Sequence, residues 1–422
     1  VVLGRIVLAA LLLAGCKQSL FSNPGGGGGD DTPLDDANGS DADGMVQSSC
    51  GANCIADAAA DFGTTKWQYF DDHRDRTWTA MTAMGGGSYV GANPANKLAA
   101  SGGVLLVSTA GMTDPADPAI AYTAASNQVI KLSIVVDFPA NAAEHTVRLY
   151  RNSREDSLFT GVGQSGGSVS TSITVDAFNG DRFTLAIAPT GAGSSDLPVK
   201  FFVNGTGMTF PQDCELGLQF SAVATNSITN LCGQGIGYYH DNGDNTASAT
   251  PPALTTGPFA ELGMAGSITF DNFFWGDVAL DRSGDSTLQF WYQHRSFSSS
   301  GAVLYSDQNC DTAAGGGLAI YRYTTGNQLG IQTCTGISTT DYRDATYAYE
   351  SQWHFIRIVH YQGKVNLCVD GTKLTTLPVA AGKLASPTLP HIGKNVDYSP
   401  VGAFVDAAMD DFRFLTTALP CD

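Results

Sequence analysis

The sequence predicts an all-β protein of two β-sandwich (jelly-roll) domains behind a disordered acidic Gly/Asp-rich tether, and three observations carry that prediction. Gly supplies 49 of 422 residues, where ~7% is the ordinary share. The forty acidic residues include only five Glu, and Lys is rarer than Arg, so good helix formers are scarce while turn-forming Asp and Gly abound. From residue 62 onward, short apolar runs are separated by Gly, Asn, Asp and Pro with no sustained 3.6-residue period. The length suffices for two or three domains. A formal charge of −18 excludes nucleic acid as a nonspecific partner, because such binding needs cation clusters that displace phosphate counterions.

Taken in order, residues 6–15 are an apolar run behind Arg5, long enough for a signal-peptide core and too short for a membrane span of ~20 residues. The run ends in Leu13-Ala14-Gly15-Cys16. This segment resembles the lipobox of bacterial lipoproteins, in which small residues admit the signal peptidase and the Cys thiol receives lipid. The resemblance implies a signal peptide over 1–15, lipid attachment at Cys16 and the membrane as a partner through that anchor. Lys17 stands where Asp would mark inner-membrane retention, which implies the outer membrane or cell surface. Several acyl chains, at roughly 0.8 kcal/mol per buried methylene, hold a protein persistently.

Residues 16–61 are expected to be a lipid-anchored tether. Gly25 to Gly29 precede Asp30-Asp31-Thr32-Pro33-Leu34-Asp35-Asp36, and so few apolar side chains cannot offset the entropy of ordering. The Asp run lacks the Gly and Glu positions of an EF-hand loop, so it reads as a solvated spacer.

Eight further cysteines remain: Cys50, Cys54, Cys214, Cys232, Cys310, Cys334, Cys368 and Cys421. An even number in an exported chain is expected to form disulfides, with the connectivity left open. Cys310 and Cys334 flank a predicted hairpin over 318–332 and are the local pairing expected. No second Cys or His pair stands at zinc-finger spacing from Cys50 and Cys54, so no metal is expected there.

Residues 62–210 read as a first sandwich, with strands near 104–107, 129–138, 146–150, 172–175, 182–188 and 199–203. Its fold resembles loosely the jelly-roll modules of bacterial extracellular proteins, with no motif that names a family. Trp67, Tyr69, Trp78 and Tyr89 are either a platform for sugar rings or, more commonly in a sandwich, core. Gly161-Val162-Gly163-Gln164-Ser165-Gly166 matches a dinucleotide fingerprint, and Gly163 to Gly167 matches a nucleophile elbow. Both motifs need a strand running into a helix. The following Ser168-Val169-Ser170-Thr171 alternates like a strand, so a glycine-rich hairpin loop is expected.

Residues 214–422 read as a second sandwich, with strands near 267–270, 286–293, 302–306, 318–323, 329–334, 353–359, 365–371, 391–393 and 408–414. The strand Leu288 to Tyr292, the entry Gly315-Gly316-Gly317-Leu318, Trp353-His354-Phe355, Leu367-Cys368-Val369-Asp370-Gly371, His391-Ile392-Gly393 and Asp410-Asp411-Phe412-Arg413-Phe414 follow one another. In that order they resemble the laminin-G-like members of the concanavalin A-like lectin and glucanase superfamily. Phe355 stands where a second His is common, and Asp411 where Glu is common.

That superfamily holds enzymes and binding modules alike, so fold does not decide function. Its glucanases need an acid and a nucleophile roughly 5 Å apart, and Glu144, Glu155, Glu215, Glu261 and Glu350 are too scattered to share one strand. Adjacent Asp410 and Asp411 are expected on opposite faces. No catalytic residue is assigned. The resemblance implies glycan or protein binding at loops of the sandwich rim, sometimes with calcium. Asp241-Asn242-Gly243-Asp244-Asn245 and the loop 281–285 carry oxygen donors for calcium, but these residue types also simply make turns, and no cofactor is expected. The leading expectation is a cell-surface lipoprotein presenting non-catalytic modules for adhesion or for binding a glycan or extracellular protein. The alternative is a structural or envelope-assembly protein using the sandwiches as spacers or docking surfaces, with a glycoside hydrolase third.

Overall fold

The computed structural model describes residues 49–191, 196–220, 227–233, 236–240, 253–259, 262–268, 273–276, 279–297, 301–308, 316–323, 328–334, 340–346, 351–379, 384, 389–393 and 405–421. The signal-peptide segment, Cys16, most of the tether, the 241–245 loop and Cys310 lie outside them. Among the described residues, thirty strands form four antiparallel sheets.

The first sandwich pairs an eight-stranded sheet with a six-stranded one. Gln128–Asp137 shows why this sequence makes a sheet: Ile130, Leu132, Ile134 and Val136 recur at period two and are fully buried. They meet Val147 and Leu149 of His145–Arg151 and Phe183, Leu185 and Ile187 of Arg182–Pro189 in one core. Burying each such side chain stabilises the fold by roughly 1.5–3 kcal/mol. The six-stranded sheet runs Ser157–Gly163, His145–Arg151, Arg182–Pro189, Asp117–Thr123, Trp67–Asp72, Trp78–Ala80.

The second sandwich has two eight-stranded sheets. The proximal sheet, which faces the first sandwich, is centred on Val405–Leu415, Ser286–Phe297 and Trp353–Tyr361. The distal sheet includes Gly301–Ser306, Leu318–Tyr323 and Gln328–Cys334. Leu288, Phe290, Ile356, Ile358, Phe412 and Phe414 meet Leu304, Ile320, Leu329 and Ile331 between the sheets. Phe412 stacks on both Phe290 and Tyr305 at 5.5 Å. Cys214–Leu218 pairs with Val405–Leu415, so this sandwich begins well before its aromatic strands.

Two expectations need correction. The tether does not extend to residue 61: Cys54–Asp57 is a strand paired with Asp196–Gly205, and Ala56 and Ala58 are fully buried. Averaged composition hid a short run of alanines small enough to pack beneath the sheet. The glycine run is also not a hairpin, because Ser157–Gly163 pairs with His145–Arg151 while Ser168–Ala177 pairs with Gln128–Asp137 in the other sheet. The chain crosses between layers here. Gly163 is required at the crossing, since a Cβ would lie 2.0 Å from the Phe138 ring.

Disulfides join Cys50 to Cys54, Cys214 to Cys232 and Cys368 to Cys421. The expected Cys310–Cys334 pair falls outside the described residues through Cys310.

Candidate functional site

Two short turns with unusually dense charge organise the chemistry of the molecule. The first, Asp71-Asp72-His73-Arg74-Asp75-Arg76, leaves Trp67–Asp72. Arg74 and Arg76 adopt φ of 65° and 71°, a left-handed conformation that costs a non-glycine residue energy unless the surroundings hold it. The Arg74 N–H donates to Asp72 Oδ1 at 3.1 Å, and Thr77 donates through its N–H and its hydroxyl to Asp75 Oδ1. The second turn, Arg151-Asn152-Ser153-Arg154-Glu155-Asp156, has Asn152 at φ 59°. It closes on the Arg151 N–H, which donates to the Asp156 carbonyl at 3.0 Å. Each turn contributes one arginine to a cavity and a second charged group to the junction between the sandwiches.

The cavity lies on the outer face of the six-stranded sheet and encloses about 200 Å³. Its floor is Ala186, Ala188 and Pro189, residues too short to fill the face. Arg74, Arg148 and Arg154 line it with Asp117, and Thr146 and Thr190 add hydroxyls. Asp117 is fully buried and accepts from Arg74 Nε at 3.0 Å, Arg74 Nη2 and Arg154 Nη2. Asp72, also fully buried, accepts from Arg154 Nε and the Tyr150 hydroxyl, both at 2.6 Å. Burial and then the Asp72 carboxylate push the Tyr150 phenol far above its ordinary pKa, which keeps it a donor. The hydrogen-bonded Asp117 carboxylate holds the Arg74 guanidinium above its usual value. Both acids thus spend their oxygens inward. Each guanidinium carries five N–H donors, and the Nη1 groups of Arg74 and Arg154 are not used in these bonds. Glu144, exposed at the rim, accepts from the Thr190 hydroxyl at 2.9 Å.

The junction uses the same residue types. Arg413, fully buried on the proximal sheet, donates Nη1 and Nη2 to Asp181 at 2.9 and 2.8 Å and Nε to Asp411 at 2.7 Å. Burial alone pushes the Asp181 carboxyl up, but Arg413 outweighs it and holds the group down at about 2. Arg357 donates to Asp156, to Gln289 at 3.2 Å and to the Ser157 carbonyl at 3.0 Å. Arg76 bonds Glu155 at 2.6 Å and Asp370 at 3.0 Å and lies 5.0 Å from the Trp291 ring. Phe259 bridges the two aromatic clusters, 6.1 Å from Trp78 and 5.4 Å from Trp291.

The aromatic candidates do not form one platform. Trp67 and Tyr69 are core, Tyr89 stacks on Tyr69 at 4.1 Å, and Trp78 lies under Arg182 at 4.2 Å. In the 281–285 loop, Asp281 Oδ1 accepts the Ser283 N–H and Asp285 Oδ1 the Gln362 N–H, which is turn chemistry. Among the described residues, no three His, Cys, Asp or Glu side chains gather where they would hold a metal. Asp410 and Asp411 are both buried and make different contacts: Asp410 Oδ1 accepts the Phe220 N–H, while Asp411 meets Arg413. Sequence reasoning missed the arginine cavity altogether. The signal was the crowding of scarce arginines into 74–76 and 148–154.

Residues 267–421 match the family model described as the concanavalin A-like lectin/glucanases superfamily, so this part of the chain is a lectin/glucanase-like β-sandwich. No curated protein matches the chain. Among solved structures, domain 4 of AbnA, a GH43 extracellular arabinanase from Geobacillus stearothermophilus in complex with arabinotriose, is 15% identical with a TM-score of 0.38, covering 50% of this chain and 96% of that one. The tandem CBM22 domains of Paenibacillus barcinonensis Xyn10C are 12% identical with a TM-score of 0.23, covering 82% of this chain and 97% of that one. The binding domain of botulinum neurotoxin serotype C1 is 12% identical with a TM-score of 0.36, covering 50% of each chain. The match therefore spans about half of that toxin domain. At these identities and TM-scores the likenesses add nothing to the functional reading.

Proposed function

We infer that the protein is a cell-surface lipoprotein, anchored through Cys16, whose β-sandwich modules bind glycan without transforming it. The observation that carries this reading is the match of residues 267–421 to a superfamily of lectins and glucanases. The non-catalytic half rests on how the carboxylates are used. Glycoside hydrolysis needs two carboxyl groups flanking one bond across a shared cleft. In the second sandwich Asp410 and Asp411 are sealed from solvent, Asp307 is held by Arg282 at 2.5 Å, and Asp370 is held by Arg76 and His354. Glu215 accepts the Asp281 N–H at 2.9 Å. Such acids are poorly placed to protonate a leaving group or activate water.

A glycan array run beside a cell-wall pull-down tests the reading. Saturable, sugar-competed binding without release of reducing ends is the expected result. Retained protein partners with no sugar competition would favour the second reading, a spacer or docking protein, which the buried ionic junction between the sandwiches supports. For the anchor, Cys16→Ala is expected to release the protein from membranes, and continued partition refutes lipidation.

A further inference from the structure

We propose that the Cys368–Cys421 disulfide is a redox-released latch. Closed, it holds the strap 416–421, which follows Val405–Leu415, across the junction and makes the two sandwiches one cooperative body. Opened by a dithiol, it frees the strap and uncouples them. What the modules bind has no bearing on it.

The two ends of the disulfide reach the first sandwich by different routes. Cys368 lies in the strand Lys364–Val369, which runs into the turn holding Asp370. Asp370 accepts from Arg76 Nη2 at 3.0 Å and lies 2.7 Å from His354 Nδ1. Cys421 lies at the far end of the strap. Just before it, the Pro420 carbonyl accepts from Arg357 Nη1, the same nitrogen that reaches the Ser157 carbonyl at 3.0 Å. Leu419, with Leu415, is buried in the hydrophobic core of the first sandwich. Strap and turn touch, since a Cβ on Gly371 would lie 3.6 Å from the Cys421 carbonyl oxygen. The disulfide thus ties the Arg76 contact to the Arg357 and Leu419 contacts.

Without that bond little holds the strap. Residues 416–421 form no strand ladder. Their further bonds are few: Thr416 N–H to the Asp213 carbonyl at 2.7 Å, the Thr287 hydroxyl to the Thr417 carbonyl at 2.8 Å, and Leu419 N–H to the Thr287 hydroxyl at 2.9 Å. Ordering six irregular residues costs backbone entropy at each one, against one buried leucine and hydrogen bonds of modest net value. The other two described disulfides do not fit this role. Cys214 and Cys232 are both buried, and Cys50–Cys54 spans a sequence separation of only 4.

Cys421 is partly exposed and Cys368 is buried, so an attacking thiolate enters at the Cys421 sulfur and Cys368 leaves, taking up a proton. The second thiol of the reductant then displaces Cys421 from the mixed disulfide. The dithiol ends as its own disulfide, and its two electrons and two protons end on the Cys368 and Cys421 thiols.

Dithiothreitol acting on the oxidised full chain tests the latch, read by alkylation mapping, hydrogen exchange and calorimetry. Cys368 and Cys421 are expected to become alkylated while Cys214 and Cys232 stay bonded, and the amides of 416–421 to exchange at least tenfold faster. The parent is expected to unfold in one calorimetric transition when oxidised and in two when reduced. Cys368→Ser combined with Cys421→Ser is expected to show two transitions without reductant, and Cys50→Ser combined with Cys54→Ser to keep one. Should the first of these variants not fold, reduction of the folded parent decides alone. The proposal is overturned if the strap amides exchange no faster once the pair is open, if the reduced parent keeps one transition, if the oxidised parent already shows two, or if the pair opens only on global unfolding.

Discussion

The junction and the cavity are built from the same arginine–aspartate pairs and differ only in what the arginines leave over. Asp181 in the junction and Asp117 in the cavity are equally sealed, with side chains 1% and 0% exposed. The cations separate them: Arg413 is 1% exposed and spends all three nitrogens on carboxylates, while Arg74 is 37% exposed and spends two. A buried acid therefore does not distinguish the two. The number of donors left facing open space does.

The comparison breaks most visibly at Arg413. Arg413→Leu strands Asp181 and Asp411 without their cation, and removing one partner of a buried pair costs about 3–5 kcal/mol. Denaturant unfolding is expected to show that loss, and a change under 1 kcal/mol would mean the junction holds nothing together. The Cys368–Cys421 disulfide closes a loop of sequence separation 53. Replacing both cysteines by Ser is expected to cost about 4 kcal/mol in the chain-entropy account, with a usual range of about 2–4, read by the same titration.

Asp181 supplies a pH signature of intermediate size. Its folded pKa of about 2 lies below the unfolded value of ~3.9, so the folded state favours the ionised group. The stabilisation is complete above that unfolded value and fades as pH falls through about 2. A shift of this size is worth roughly 2–3 kcal/mol. The stability gap between the parent and Asp181→Asn is expected to stay level down to about pH 5 and to shrink from there to about pH 2, and a constant gap would show that ionisation of Asp181 is not what it measures. The smallest effect belongs to the cavity: Arg148→Gln, partly buried at the wall, is expected to move stability by about 1 kcal/mol. A larger loss would place Arg148 with the junction arginines.

Much of the fold was legible because burial writes itself at period two. Leu288, Phe290 and Tyr292 announce their strand, and Leu318–Tyr323 begins and ends where the alternation does. The strand Cys54–Asp57 was hidden because two alanines are too small to lift a Gly- and Asp-rich average. The glycine crossover was hidden because a tight loop looks the same whether its strands pair with each other or with different sheets. The cavity and the junction were beyond reach for another reason: their bonds span long stretches of chain. Arg357 meets Asp156 across 201 positions, and Arg76 meets Asp370 across 294. Charge crowding in 71–76 and 151–156 marked the turns, but only topology decides which of two adjacent arginines faces open space.

The placement of Val405–Leu415 has a consequence for how the protein is made. This late strand lies between Met264–Ile268 and Ser286–Phe297 and also pairs with Cys214–Leu218. The proximal sheet has no centre until residue 415 has left the ribosome, and pairings so distant in sequence form slowly. Until then Cys214–Leu218 and Met264–Ile268 have no partner that joins them to Ser286–Phe297 and the strands beyond it.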